Sequence, residues 1–161
     1  MADNATSDWT LPVSFYFSVE FQNMNGQRFK ASFSEVSGLG WNYTTTTKET
    51  NPAGKKEIIT AITHPNLILK RPLDTTGDEF STWVKNFMRA MLVSNSDSGV
   101  KNHRACDVVI KLLDSNSKPL AAWSCNHAYP IKSEVSGLDA GRAELAMETI
   151  ELVHNRLERI L

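Results

Sequence analysis

Residues 13–33 read VSFYFSVEFQNMNGQRFKASF, and their pattern decides the fold class. Val13, Phe15, Phe17, Val19 and Phe21 alternate with Ser14, Tyr16, Ser18 and Glu20. Successive side chains on a strand point to opposite faces, so this alternation describes a strand with one buried and one polar face. Asn25-Gly26 then supplies the residues that hairpin turns favour. Beyond it Phe29, Ala31 and Phe33 alternate with Arg28, Lys30 and Ser32. The stretch predicts an antiparallel hairpin, and a hairpin alone is marginal in water, so more strands must cover it.

Those strands can be read further along the chain. Ser37-Gly38-Leu39-Gly40 breaks the second arm. Trp41 to Lys48 follows, with threonine at each of positions 44–47; β-branched hydroxyl residues favour extended backbone and tolerate water. Asn51-Pro52-Ala53-Gly54 reads as a loop that Lys55-Lys56 extends. Ile58, Ile59, Ala61 and Ile62 predict an apolar strand. His64-Pro65 interrupts it, and Leu67 to Lys70 resumes it until Pro72. Val108 to Leu113 predicts a buried strand, Asp114 to Ser117 a turn, and Leu120 to Tyr129 a returning arm that Pro130 ends. Residues 76–92 differ in kind. Phe80, Trp83, Val84, Phe87, Met88 and Met91 recur at helical spacing. Thr76 with Glu79 predicts a capping box, and Asp78 adds a negative charge near the positive end of the helix dipole. The expected fold is mainly β, an antiparallel barrel or sandwich with one flanking α-helix.

Two features pull against a simple reading. Ala146, Ile150, Val153, Leu157 and Ile160 are spaced like a helix face among good helix formers, yet Leu145, Met147, Ile150 and Leu152 also permit a strand. The hexapeptide Ser-Glu-Val-Ser-Gly-Leu occurs at 34–39 and again at 133–138. Without matching flanks it reads as a repeated strand-to-loop junction rather than a duplication.

The chain has 161 residues, the size of one ordinary domain, large enough to bury a core without disulfides or metal. Residues 1–10 are polar and unpatterned and predict a flexible arm, leaving 11–161 as a single domain. Seventeen Lys and Arg balance 18 Asp and Glu for a net charge of −1, which argues against a polybasic nucleic-acid binder. No apolar run approaches a membrane span, and the first residues lack the basic start and apolar stretch of a secretory signal. Synthesis in the cytoplasm is the expectation. Cys106 and Cys125 are then expected to be free, buried and small.

No catalytic constellation emerges. His64, His103, His127 and His154 lack metal-ligand spacing, and neither a nucleophile elbow nor a phosphate-cradling glycine loop is present. No catalytic, cofactor-binding or metal-binding residue is expected, and no cofactor. Of the four tryptophans, Trp83 and Trp123 read as core and Trp41 lies near an exposed loop. A monomeric β-sandwich that binds a ligand through exposed aromatics such as Trp41 is therefore the competing functional class.

The order of motifs resembles a known family. Phe33-Ser-Glu-Val-Ser-Gly-Leu39 comes first, then Asn66-Leu-Ile-Leu-Lys-Arg71 ahead of a helix containing Phe80-Ser-Thr-Trp83. Val108 to Asp114, Pro119 to Trp123, Asn126-His-Ala-Tyr-Pro130, Leu138-Asp-Ala140 and Glu144 to Leu152 follow. Together they resemble the tail tube proteins of contractile phages and the inner tube proteins of extracellular contractile injection systems. More distantly they resemble the tube-forming protein of type VI secretion. The resemblance implies a tail-tube-like fold and a structural role without enzymatic activity. It further implies homohexameric rings stacked into a hollow tube whose lumen passes cargo or DNA. Expected partners are other copies of the chain, a contractile sheath, baseplate and spike proteins, and lumen cargo, with no membrane anchor. The expected location is an assembled particle, either a virion tail or an injection device. The resemblance also selects a strand for 144–154 against local helix propensity, leaving 155–161 unassigned. Lys48, Glu49, Lys55 and Lys56, on the loop after the threonine strand, are the candidate contacts between stacked rings.

Overall fold

Strand β1 (Phe17–Asn23) and strand β2 (Arg28–Ala31) form the expected hairpin, with Phe21 opposite Phe29 and Val19 opposite Ala31. The computed structural model describes residues 16–50, 54–93 and 105–161. The expected arm over 1–10, Val13, Phe15, the loop positions 51–53 and most of the segment between the helix and Cys106 lie outside the described residues. The hairpin turn spans Met24 to Gly26. Asn23 N–H donates to Gln27 O at 2.9 Å, and only Gly26 in it has positive φ, at 79°. This is a three-residue turn with a left-handed glycine, not the two-residue turn that Asn-Gly most often marks.

Strand β2 stops at Ala31 rather than Phe33, because the chain changes sheets. Ser34 N–H donates to Lys70 O at 2.8 Å, and β3 (Glu35–Ser37) then pairs with β6 (Leu67–Pro72). The threonine strand is β4 (Asn42–Thr50), and β5 (Gly54–Thr63) returns antiparallel to it. Lys55 and Lys56 therefore belong to a strand, not to a loop. Strands β7 (Cys106–Leu113), β8 (Pro119–Val135), β9 (Met147–Val153) and β10 (Arg156–Arg159) complete the fold. The main sheet has eight strands in the order β2-β1-β7-β8-β9-β6-β3, with β10 also on β8, while β4 and β5 form a separate two-stranded sheet.

Pro130 does not end β8. The 17-residue strand pairs with β7 and β10 up to Ala128, and with β9 from Tyr129 onward. Proline lacks an N–H, and it sits where the register shifts between Pro130 and Lys132, a place where a ladder bond is already lost. A second irregularity precedes it. His127 has φ of 58°, and its N–H donates to Asp107 Oδ1 at 2.8 Å. These two departures let one strand serve both halves of the sheet. The halves fold over a single core containing Val19, Phe21, Val108, Ile110 and Cys125 from one side and Leu67, Leu69, Ile150 and Leu152 from the other. Both cysteines are free and buried, and burial pushes each thiol up to about 12.

Helix α1 (Glu79–Val93) closes one end of this core with Phe80 and Phe87 buried. Its cap is Asp78, whose Oδ1 accepts from Ser81 N–H at 2.8 Å, so the expected Thr76–Glu79 capping box does not form. Thr76 instead donates through its N–H and hydroxyl to Asp74. Met88 and Met91, expected in the core stripe, are exposed beside Pro130 and Ile131. Arg71 of β6 joins three elements beneath the helix. Its guanidinium is buried, bonds Asp78 at 2.6 Å, Ser81 Oγ at 2.6 Å and Glu148 of β9, and lies 4.9 Å from the centre of the Phe80 ring.

The C-terminal conflict resolves as strand, with β9 over Met147–Val153 inside the expected 144–154. The unassigned 155–161 contains β10, with Leu157 paired to Cys125. Both hexapeptide copies lie where a strand leaves the sheet: β3 ends at Ser37 before Gly38, and β8 ends at Val135 before Gly137.

Candidate functional site

The β4–β5 ribbon is the part of the fold that the core does not explain. Every described side chain from Trp41 to Glu49 and from Gly54 to Thr63 is exposed. Its ladder is continuous from Asn42 opposite Thr63 to Thr50 opposite Gly54, with one register shift between Thr44 and Thr45. Threonine hydroxyls reinforce it: Thr60 Oγ1 donates to Thr44 O at 3.0 Å and Thr63 Oγ1 to Asn42 O at 3.4 Å.

Cross-strand partners share a face, so the pairing divides the ribbon into two surfaces. One carries Tyr43 opposite Ile62 and Thr45 opposite Ile59, with the Trp41 ring tilted by 57° against that of Tyr43 at 4.7 Å between ring centres. Trp41, Tyr43, Ile59 and Ile62 are 50 to 58% exposed, an apolar patch that water penalises. The other surface carries Thr44 opposite Ala61 and Thr46 opposite Ile58. Sequence reading singled out Trp41 and took Ile59 and Ile62 as part of an apolar strand, without showing that both are exposed. The missed signal is the threonine run of β4, which puts Thr45 opposite Ile59 and cannot complete an apolar core, leaving only Tyr43 opposite Ile62.

The four predicted contact residues gather at the far end of this ribbon. Lys48 pairs with Lys56 and Glu49 with Lys55, all exposed. Like charges directly opposite each other are unfavourable within one chain. The lysine pair therefore leaves two positive charges side by side at the ribbon's end.

At the near end the ribbon joins the body through two short connections. Gly38 has φ of 93°, and a Cβ there would lie 2.1 Å from Asn66 O, so only glycine fits against the second connection. His64 Nδ1 lies 3.4 Å from Gly40 O, and His154 Nε2 lies 3.1 Å from Pro65 O. The two rings are 5.7 Å apart. His154 is buried and its Nδ1 has no hydrogen-bond partner. Burial holds its pKa below the usual histidine value; the Pro65 carbonyl opposes this and neighbouring His64 adds to it. Among the described residues no group of three His, Cys, Asp or Glu side chains could hold a metal ion, and no helix is long and apolar enough to cross a membrane.

The sequence matches the T4-like virus tail tube protein gp19 family over residues 13–158. This chain belongs to that tail tube family. Among solved structures it is similar to a chain of the anti-feeding prophage baseplate determined with six-fold symmetry. That likeness has 25% identity and a TM-score of 0.77, covering 94% of this chain and 96% of the other. A chain of the anti-feeding prophage cap that terminates the tube gives 18% identity and a TM-score of 0.76, covering 99% and 98%. A chain of the PVC sheath-tube complex, from an extracellular contractile injection system in its extended state, gives 19% and 0.72, covering 95% and 93%. These likenesses confirm the antiparallel tail-tube fold with its single helix. No curated protein sequence matches this chain. In a tail tube protein, an exposed ribbon with one apolar face has a ready explanation as a surface for assembly.

Proposed function

We propose that this chain is a structural subunit of the rigid inner tube of a contractile injection particle, either a phage tail or a phage-like device. Copies form rings of six, and the rings stack into a tube with a hollow lumen for cargo or DNA. A contractile sheath surrounds the tube and drives it forward, and baseplate and spike proteins occupy its leading end. The chain acts by shape and stiffness and performs no reaction. The six-fold symmetry of the baseplate that contains a similar chain supports the ring size.

The observation that carries this reading is the fully exposed ribbon in a member of the tail tube family. Two strands with an uncovered apolar face are not independently stable in water. A second copy that covers Trp41, Tyr43, Ile59 and Ile62 supplies the missing layer. Lys48, Glu49, Lys55 and Lys56 at the ribbon's end then meet the adjacent ring. A head-to-tail contact closes into a ring, and a second contact between rings propagates a filament.

Electron microscopy of the purified protein, with light scattering for mass, tests the proposal. Six-fold rings or hollow tubes are expected. A monomer at high concentration that also fails to extend a matching baseplate would sink it. The Trp41–Tyr43 pair would then be tested as a platform for a small ligand.

A further inference from the structure

Two histidines meet where the ribbon joins the body. His64 begins the second connection and touches Gly40 of the first, while His154, from the turn between β9 and β10, holds Pro65. Their ring centres lie 5.7 Å apart, with the planes tilted by 48°. We propose that the His64–His154 pair is an acid-sensitive latch, which fixes the ribbon's seat at neutral pH and releases it in acid.

The surrounding charges favour release. Glu151 is the nearest carboxylate along β9, but Asn66 Nδ2 donates to its Oε1 at 2.6 Å, which engages that oxygen. Arg156, on the other side of the turn, is paired with Glu158. Lys132, opposite Glu151 on β8, is paired with Glu134 at 2.7 Å. Tyr129, opposite Val153, stacks on Phe87 and lies edge-on to His127. None of these places a carboxylate between the two rings. Two imidazolium groups at this separation repel, and the buried one also loses hydration. Release relieves both penalties by letting His154 reach water. Consistent with this, burial, with His64, lowers the proton affinity of His154 in the seated form by more than the backbone of Pro65 and Arg156 raises it. Histidine is the side chain whose ordinary charge change falls in mildly acidic conditions, which is where the latch responds.

The test is an intramolecular distance, so it reads the latch whether or not the chain forms a tube. Spin labels are placed through Thr46→Cys on the ribbon and Lys118→Cys on the β7–β8 turn, both exposed positions. The two native thiols are buried with pKa pushed up to about 12, and so do not compete for label. Labelled chains are diluted in unlabelled protein to remove distances between copies. At pH 7.5 a narrow distance distribution is expected, and at pH 5.5 one at least twofold broader or displaced. His154→Gln keeps a donor for Pro65 O without a charge, and His64→Gln removes the repelling partner. Each is expected to keep the narrow distribution at both pH values. Circular dichroism checks that each variant folds, and His64→Gln, at a half-buried site, serves if His154→Gln does not. A wild-type distribution unchanged between the two pH values would overturn the latch. So would an equal acid response in the folded glutamine variants.

Discussion

Arg71 shows how much of the fold can depend on one side chain. Its charge is buried but matched by Asp78 and Glu148, with Ser81 Oγ taking a further bond. Replacing it with methionine preserves bulk and strands two carboxylates beside an apolar ring cluster. Breaking a buried ion pair from one side costs about 3–5 kcal/mol. Arg71→Met is therefore expected to lower the urea midpoint by that equivalent, measured by tryptophan fluorescence. An unchanged midpoint would show that the network is energetically idle. The same corner predicts an acid response. Burial opposes the ionisation of Asp78, and Arg71 with the Ser81 amide outweighs it, so its pKa is lowered. The Thr76 hydroxyl and the amides of Asp78 and Thr76 hold Asp74 well below the ordinary carboxylate range. Carboxylates with depressed folded pKa values bind protons less readily than in the unfolded chain. Their stabilisation is present above about pH 4 and is lost as pH falls through their folded values. His154 adds a separate loss that begins near pH 6.5, because its proton affinity is also lower when folded. Urea midpoints against pH should show two declines, and His154→Gln should remove only the upper one.

At the scale of elements, what could be read depended on whether the deciding neighbour was local. The first hairpin was legible because its alternation and its turn lie within one stretch of chain, and β1 and β2 pair as read, though β2 is shorter and the turn one residue longer. The helix was legible in extent but not in its cap. Asp74 draws Thr76 into a turn of its own, and Asp78 is left to cap. Pro130 looked like a stop because a proline removes a ladder bond, and only the change of partner from β7 to β9 makes that loss harmless. Strand β9 is the clearest case of context overriding propensity. Its residues favour a helix, but pairing with both β6 and β8 buries Ile150 and Leu152 completely. Burying two such side chains is worth about 3–6 kcal/mol, more than the helix preference of the segment. A peptide of residues 143–161 is therefore expected to be helical by circular dichroism in trifluoroethanol, and to show no strand signature in water. A peptide that formed strand alone would mean that propensity had been misjudged.

For the whole molecule, the ribbon divided the legible from the illegible. Lys48, Glu49, Lys55 and Lys56 stood out as charges around a predicted loop, and the fold does bring all four to one end of β4 and β5. The apolar face behind them did not stand out. Ile59 and Ile62 look like core residues when only their own strand is read, and exposure is a property of the strand's missing neighbours. If the tube reading holds, the lysine pair supplies positive charge to the next ring. The double reversal Lys48→Glu with Lys56→Glu should then shorten or abolish tubes in micrographs while leaving the ring mass by light scattering unchanged. Added salt should weaken stacking of the wild type, since exposed charge pairs are screened. Full-length tubes from the reversed variant would assign the ring contact elsewhere.

Strand β8 has a mechanical meaning as well as a topological one. Two sheets that merely press together can slide past each other under load, resisted only by side-chain contacts. Here one backbone runs through both halves, from Pro119 in one ladder to Val135 in the other. A pull on either half is carried into the other along covalent bonds, and slippage would require hydrogen bonds on both flanks of the strand to shear together. A subunit wired in this way transmits thrust as a single stiff body, the property needed by a part that is pushed from behind and must not deform.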